Sequence, residues 1–253
     1  MAAPLTEAAI EQVRMLITSG NLVPGQRLPP EAELAESLGT SRSTVREAVR
    51  ALVTARVLDV RRGDGTFVTS LRPELLLAGI GAAADLLQHG FTLELVQVRR
   101  ILEPAATAMA ATRITEATLD QLQACLHQMS LASHQELVEF DEEFHHLVAT
   151  ASGNATLASM LNGVSSRTTR GRAWRGVIEA GATERTISEH AAILAALRAR
   201  DPGLAEAAAL LHVSTTETWF RTVLNNQELE PEPALADDAP SHELSGSSGP
   251  FVT

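Results

Sequence analysis

A chain of 253 residues with 45% apolar content has room for two ordinary domains, each with its own core. Its formal net charge of −11 argues against a protein that binds nucleic acid over its whole surface. No run of about 18 apolar residues indicates a membrane span, and the opening MAAPLTEAAIEQVR lacks the basic-then-apolar plan of a secretion signal. The single cysteine, Cys125, excludes an internal disulfide, so a cytoplasmic protein is expected. Aromatics are 3% with no Tyr, so the cores must be Leu, Val, Ile and Ala, which suits helices.

Charge is unevenly placed. Residues 1–70 carry eight Arg and eight acids, so all the net negative charge lies beyond them. In this first stretch Thr6 is a candidate cap for a helix over 7–19, with Ile10, Val13, Leu16 and Ile17 as its dry stripe and Gly20 as its stop. A turn around Pro24-Gly25 and the Pro29-Pro30 break follow. Next comes a short helix from Glu31 to Leu38, closed by Gly39.

The stretch GTSRSTVREAVRAL, Gly39 to Leu52, predicts a turn and a third helix. Val45, Val49 and Leu52, with Ala48, share one face. Arg42, Ser43 and Arg46 lie near another. Such a helix can bury one side and lay two guanidinium forks and small hydroxyls in a DNA major groove. An ordinary surface helix with solvated arginines is the alternative. Beyond it, Val57–Val60 and Thr66–Val68 are β-prone and flank Arg61-Arg62-Gly63-Asp64-Gly65, a hairpin pattern. Two short helices joined by a tight turn, a helix before them and a hairpin after make a winged helix-turn-helix over residues 1–70.

These residues resemble a known family. PGQRLPPEAELAESLGTSRSTVREAVRAL followed by RRGDGTFV is similar to the DNA-binding domain of GntR bacterial transcription regulators. The resemblance implies DNA contacts from Ser41, Arg42, Ser43 and Arg46, and from the wing's Arg62 and Gly63. Two departures stand out. Ala32 occupies a position where the family usually carries a DNA-contacting Arg, and Thr40 one where it generally carries Val. The first puts the usual operator sequence in doubt and leaves the fold intact.

After a short connection, Thr69 to Pro73, the chain reads helical over roughly 74–88, 93–111, 116–131, 134–151, 155–179, 184–199 and 203–224, with Pro104 expected to kink the second. The expected fold class is therefore mainly α: the winged domain, then an all-helical bundle over 74–226. Residues 227–253, rich in Pro, Ser and acid, are expected to be a disordered tail.

The bundle's chemistry lies in Asp141 and His145, four apart on one helix, and in His190 and His212, each in an apolar context. Neutral imidazoles and a carboxylate are suitable ligands for a divalent metal. A lone buried His is more often a hydrogen-bonded core residue, and the residues alone do not bring the helices together. VQVRRILEPAATAMAA, FDEEFHHLVATASGN and EHAAILAALRARDPGLAEAAALLH, however, resemble the FCD effector domain of the FadR subgroup of GntR regulators. The resemblance implies a metal held by Asp141, His145, His190 and His212, with Zn or Ni expected, and a small carboxylate effector on its open positions. It also places Arg99 as an effector clamp, with Arg100 at the surface; Arg99 to Glu103 is equally the spacing of a helix ion pair. Asn154 is a second effector-binding candidate, or a helix cap. Arg167, Arg170, Arg172 and Arg175 are expected to form a solvated helix side.

The whole implies a homodimeric regulator, a repressor, on a palindromic double-stranded operator, with no enzymatic activity and no membrane partner. A purely structural metal with a non-acid effector, or a metalloenzyme, are the alternatives.

Overall fold

The structure is a computed structural model and describes residues 2–77, 79 and 92–225. The first helix, α1, spans Ala2–Thr18 and begins earlier than the sequence predicts. Thr6 lies inside it rather than capping it. Pro4 is tolerated there because a helix's first N–H groups have no internal acceptor to lose. α2 is Glu31–Ser37 and α3 is Arg42–Thr54. β1, Leu58–Arg61, pairs antiparallel with β2, Gly65–Val68, in the register Leu58↔Val68 and Arg61↔Gly65. The segment before α2 adds to the open edge of β2: Leu28 N donates to the Thr66 carbonyl and Val68 N to the Gln26 carbonyl.

The core under this wing is the one the periodicity marks. Val13, Leu34, Val45, Leu52, Leu58 and Val68 are buried together, and Ala48 is fully enclosed. α3 therefore has a dry face docked on α1 and α2, which leaves its opposite face to solvent.

The rest is helical: α4 Pro73–Leu76, α5 Thr92–Ala111, α6 Glu116–Leu131, α7 His134–Ala151, α8 Ala155–Ile178, α9 Ala182–Arg198 and α10 Pro202–Asn225. The helix expected over 74–88 falls mostly outside the described residues, as does the expected tail. α5 runs unbroken through Pro104, although the proline removes one backbone donor. α5 packs on α10 and α8, and α7 on α8 and α6. Phe144, Leu122, Ile193, Leu194 and Leu197 make the main core. Among the described residues no helix is long and apolar enough to cross a membrane.

Candidate metal and effector site, and candidate DNA interface

Three helices bring the histidines together. α7 supplies Asp141 and His145, α9 His190 and α10 His212; all four are buried. Phe144 fixes the arrangement from the core side, stacked on His190 with ring centroids 4.4 Å apart. His190 Nε2 lies 3.3 Å from His145 Nε2, and Asp141 Oδ1 is 3.6 Å from the former and 3.8 Å from the latter. The three imidazoles offer ligand atoms all within 4.8 Å of one another.

This donor set fits a divalent ion. Two nitrogens bound at about 2.0–2.1 Å to one tetrahedral ion stand roughly 3.3 Å apart. His212 Nε2 is buried with no hydrogen-bond partner, a costly state for a polar atom unless something else engages it. Burial pushes the His145 and His190 pKa values well below the usual 6.5; Arg99 beside the first and His212 beside the second add to this. Both are thus held neutral, as ligands must be. Burial alone would raise the Asp141 pKa, but the neighbouring positive charge, that of the Arg172 guanidinium foremost, lowers it and keeps the group ionised. Outer carboxylates orient two of the rings: Glu189 Oε2 lies 2.9 Å from His212 Nδ1 and Glu103 Oε2 3.4 Å from His145 Nδ1. Neither Glu189 nor this use of Glu103 was legible in the sequence, where both look like ordinary helix-surface acids.

Arg99 lies inside the bundle, 1% exposed. It pairs with Glu103, donates from Nη1 to Thr168 Oγ1 at 3.0 Å and brings Nη2 to 3.4 Å from His145 Nε2. The ion pair expected from the spacing is present and lies beside the histidines, while Arg99 lines neither of the cavities next to them. Arg100 is at the surface, bonded to Ser214 and paired with Glu217. Asn154 is exposed and caps α8, its side chain accepting from Leu157 N at 3.1 Å. It lines none of the cavities near the histidines.

One expectation is overturned. Arg172 and Arg175 are not on a solvated side. Arg175 is 4% exposed, paired with Glu179 and within 3.3 Å of Thr216 Oγ1, and Arg172 is paired with Asp141. α8 spreads polar and apolar residues around its whole circumference because it is packed on several sides. That lack of a clean dry stripe was the available signal. The side chains of Arg167 and Arg170 lie outside the described set. Together with Asp141, His212 and Thr183, Thr186 and Thr216, the two buried arginines line a cavity of about 40 Å³.

At the other end of the chain, Ser41 caps α3, accepting from Thr44 N at 3.1 Å and sharing hydrogen bonds of 2.8 Å with the Ser43 and Thr44 hydroxyls. Arg42 and Ser43 are exposed in the first turn, where helix amides favour an anion. Arg46 is exposed but engaged: Nε and Nη2 reach Glu31 Oε2 at 3.1 and 2.8 Å. Arg62 and Gly63 stand exposed at the hairpin tip, with Gly63 in the left-handed region at φ 78°. Arg61 instead lies over the Phe67 ring, 4.2 Å from its centroid.

Residues 5–68 match the family described as bacterial regulatory proteins, gntR family, and residues 94–215 match the FCD domain. The chain belongs to the GntR family. It is 34% identical over 210 residues to the HTH-type transcriptional regulator LutR of Bacillus subtilis, covering 80% of this chain and 94% of that one. It is 32% identical over 216 residues to the galactonate operon transcriptional repressor of Escherichia coli, covering 82% and 93%. Among solved structures, Streptococcus agalactiae GntR superposes with a TM-score of 0.61 at 29% identity, over 84% of this chain and 99% of that one. The family and these relatives are transcription regulators, not enzymes. This GntR protein thus joins a gntR-type helix-turn-helix region to an FCD domain, and the histidine cluster lies in the second.

Proposed function

We propose that this protein is a DNA-binding repressor whose operator affinity is set by a small organic or sugar acid held at a divalent metal in the helical bundle. Residues 1–70 form the DNA-binding domain and 74–226 the effector domain. The observation that carries the reading is the convergence of three buried imidazoles, with Asp141 Oδ1 within 3.8 Å of two of them and an unpartnered His212 Nε2 and a buried guanidinium alongside. Asp141, His145, His190 and His212 would hold the ion, Zn or Ni. When bound, it supplies an electrophilic centre with open positions for a carboxylate or hydroxyl. Arg99 presents a fork matched to a carboxylate.

On the DNA side, Arg42, Arg46 and the Ser41–Ser43 hydroxyls would enter the major groove, while Arg62 and the Gly63 amide meet the backbone. A homodimer would place two such units on a palindrome. The 40 Å³ cavity is near the size of a water, not of a sugar acid. The acid must therefore displace cavity walls to enter. Because α4, at the end of the linker, rests on α8, that displacement has a route toward the DNA-binding domain. A galactonate operon repressor among the relatives makes galactonate the first acid to try.

The test uses full-length chain without a histidine tag. Bound metal is measured by mass spectrometry and unfolding is followed with and without Zn²⁺ or Ni²⁺. At a hundredfold excess over Kd, metal stabilises by about 2.7 kcal/mol. A chain that carries no metal and does not shift with either ion refutes the site. Acids that shift unfolding only while metal is present support the effector reading. An effector response that survives chelation favours a structural metal instead.

A further inference from the structure

Arg172 sits between the histidine cluster and the cavity. Its Nη1 is bonded to Asp141 Oδ2, while Oδ1 of the same carboxylate faces the imidazoles. Its Nη2 donates to the Ser165 carbonyl at 3.2 Å, and its side chain is 9% exposed. The buried charges nearest the histidines are already matched: Arg99 by Glu103 and Arg172 by Asp141, with Arg175 matched by Glu179 further along. A divalent ion beside Asp141 adds two positive charges to this poorly solvated set, and the Glu189 carboxylate beside His212 can offset only one of them. Arg172 then shares the Asp141 carboxylate with a stronger cation, and repulsion between the two is weakly screened in such surroundings. Arg172 also lines the cavity, so the space it would turn into is already next to it.

We propose that Arg172 is an internal counter-ion for the metal site: it neutralises Asp141 when no metal is present, yields that carboxylate to the metal, and turns into the cavity to receive the effector's carboxylate. This rests on the metal reading above and extends it to regulation. Metal loading converts a guanidinium engaged within the protein into one offered to an acid. The acid in turn relieves the excess positive charge left by the metal, so each raises the other's affinity by the same factor. An effector would therefore be bound well only by metal-loaded repressor.

The experiment compares parent, Arg172→Gln and Arg172→Lys as full-length, metal-stripped chains. Zn²⁺ affinity is measured by competition with a chromophoric chelator, and folding is checked by circular dichroism. Removing the competing cation is expected to tighten Zn²⁺ binding about tenfold in Arg172→Gln, within the range by which groups around a metal's ligands alter its affinity. Arg172→Lys keeps the charge in place but loses the fork, and is expected to tighten binding less; it carries the test if the Gln variant does not fold. Replacing chloride with acetate, as a generic carboxylate at equal ionic strength, should strengthen Zn²⁺ binding more in the parent than in Arg172→Gln. Weaker Zn²⁺ binding in both variants would make Arg172 an orienting partner of Asp141 and overturn the proposal while the metal site stands. An equal acetate effect in parent and variant overturns the cavity half of the proposal. No Zn²⁺ binding by the parent overturns the metal reading itself.

Discussion

Replacing Arg99 with Met probes the deepest charge in the effector domain. Its guanidinium is 1% exposed and pairs with Glu103, itself 6% exposed, which also faces His145 Nδ1 at 3.4 Å and Ser165 Oγ at 3.4 Å. Arg99→Met keeps most of the buried stem but leaves the Glu103 carboxylate in the bundle without its main counter-charge. Breaking a buried pair in this way costs about 3–5 kcal/mol, whereas the intact pair has little net value over a neutral replacement. For a chain of this size each kcal/mol lowers Tm by about 2–4 °C, so the bundle's transition should fall by roughly 6–20 °C. Arg99→Met/Glu103→Gln removes both charges and keeps an acceptor for His145 and Ser165. The double variant should recover at least about half of the loss. Urea unfolding of the parent, both single variants and the double variant closes the cycle. A single-variant cost under about 1 kcal/mol, or simple additivity, would show that the two residues do not act as a buried unit.

Arg46→Ala is expected to weaken operator binding by about 1–3 kcal/mol in a mobility shift, the value of one good guanidinium contact to a base; parent-like binding would remove α3 from the groove. Acid should destabilise the metal-free chain. His145 and His190 have pKa values depressed below 6.5, so below that pH the unfolded chain takes up protons that the native one refuses. Stability is then lost as pH falls, by up to about 1.4 kcal/mol per pH unit for each histidine. Urea midpoints at pH 7.5 and 5.5 check this, and a midpoint that rises on acidification contradicts it. Phe144→Ala removes a fully buried ring that also supports His190, and should cost about 3–5 kcal/mol; a loss below about 1 kcal/mol in chemical denaturation would mean the ring does not anchor the site. In the wing, Gly65 has φ 118° and an added Cβ would lie 2.6 Å from Arg27 Nε. Gly65→Ala should therefore cost about 1–3 kcal/mol by denaturant unfolding, and a neutral substitution would show the hairpin free to relax.

The local pattern of this chain was enough to establish the helices seen among the described residues beyond Thr92, its hairpin and the dry face of α3, because hydrophobic periodicity and Gly or Pro punctuation act over a few residues. It also marked Asp141 and His145, since four residues along a helix is a fixed spacing. Helix ends were less legible: Ala2–Thr18 begins ahead of its apparent cap, because an alanine-rich first turn is stable without one.

Tertiary structure alone decided which polar residues are enclosed. Arg172, Arg175, Glu103 and Glu189 look like solvent-side charges in a linear reading, and each is turned inward by helices distant in sequence. Arg99–Glu103 and Arg175–Glu179 are pairs of local spacing, but the residues that enclose them, Thr168 and Thr216 among them, come from other helices, and no window of one helix contains those. The same holds for His212: its apolar neighbours marked it as inward, but only the packing of α7, α9 and α10 aims its free nitrogen at the other two rings.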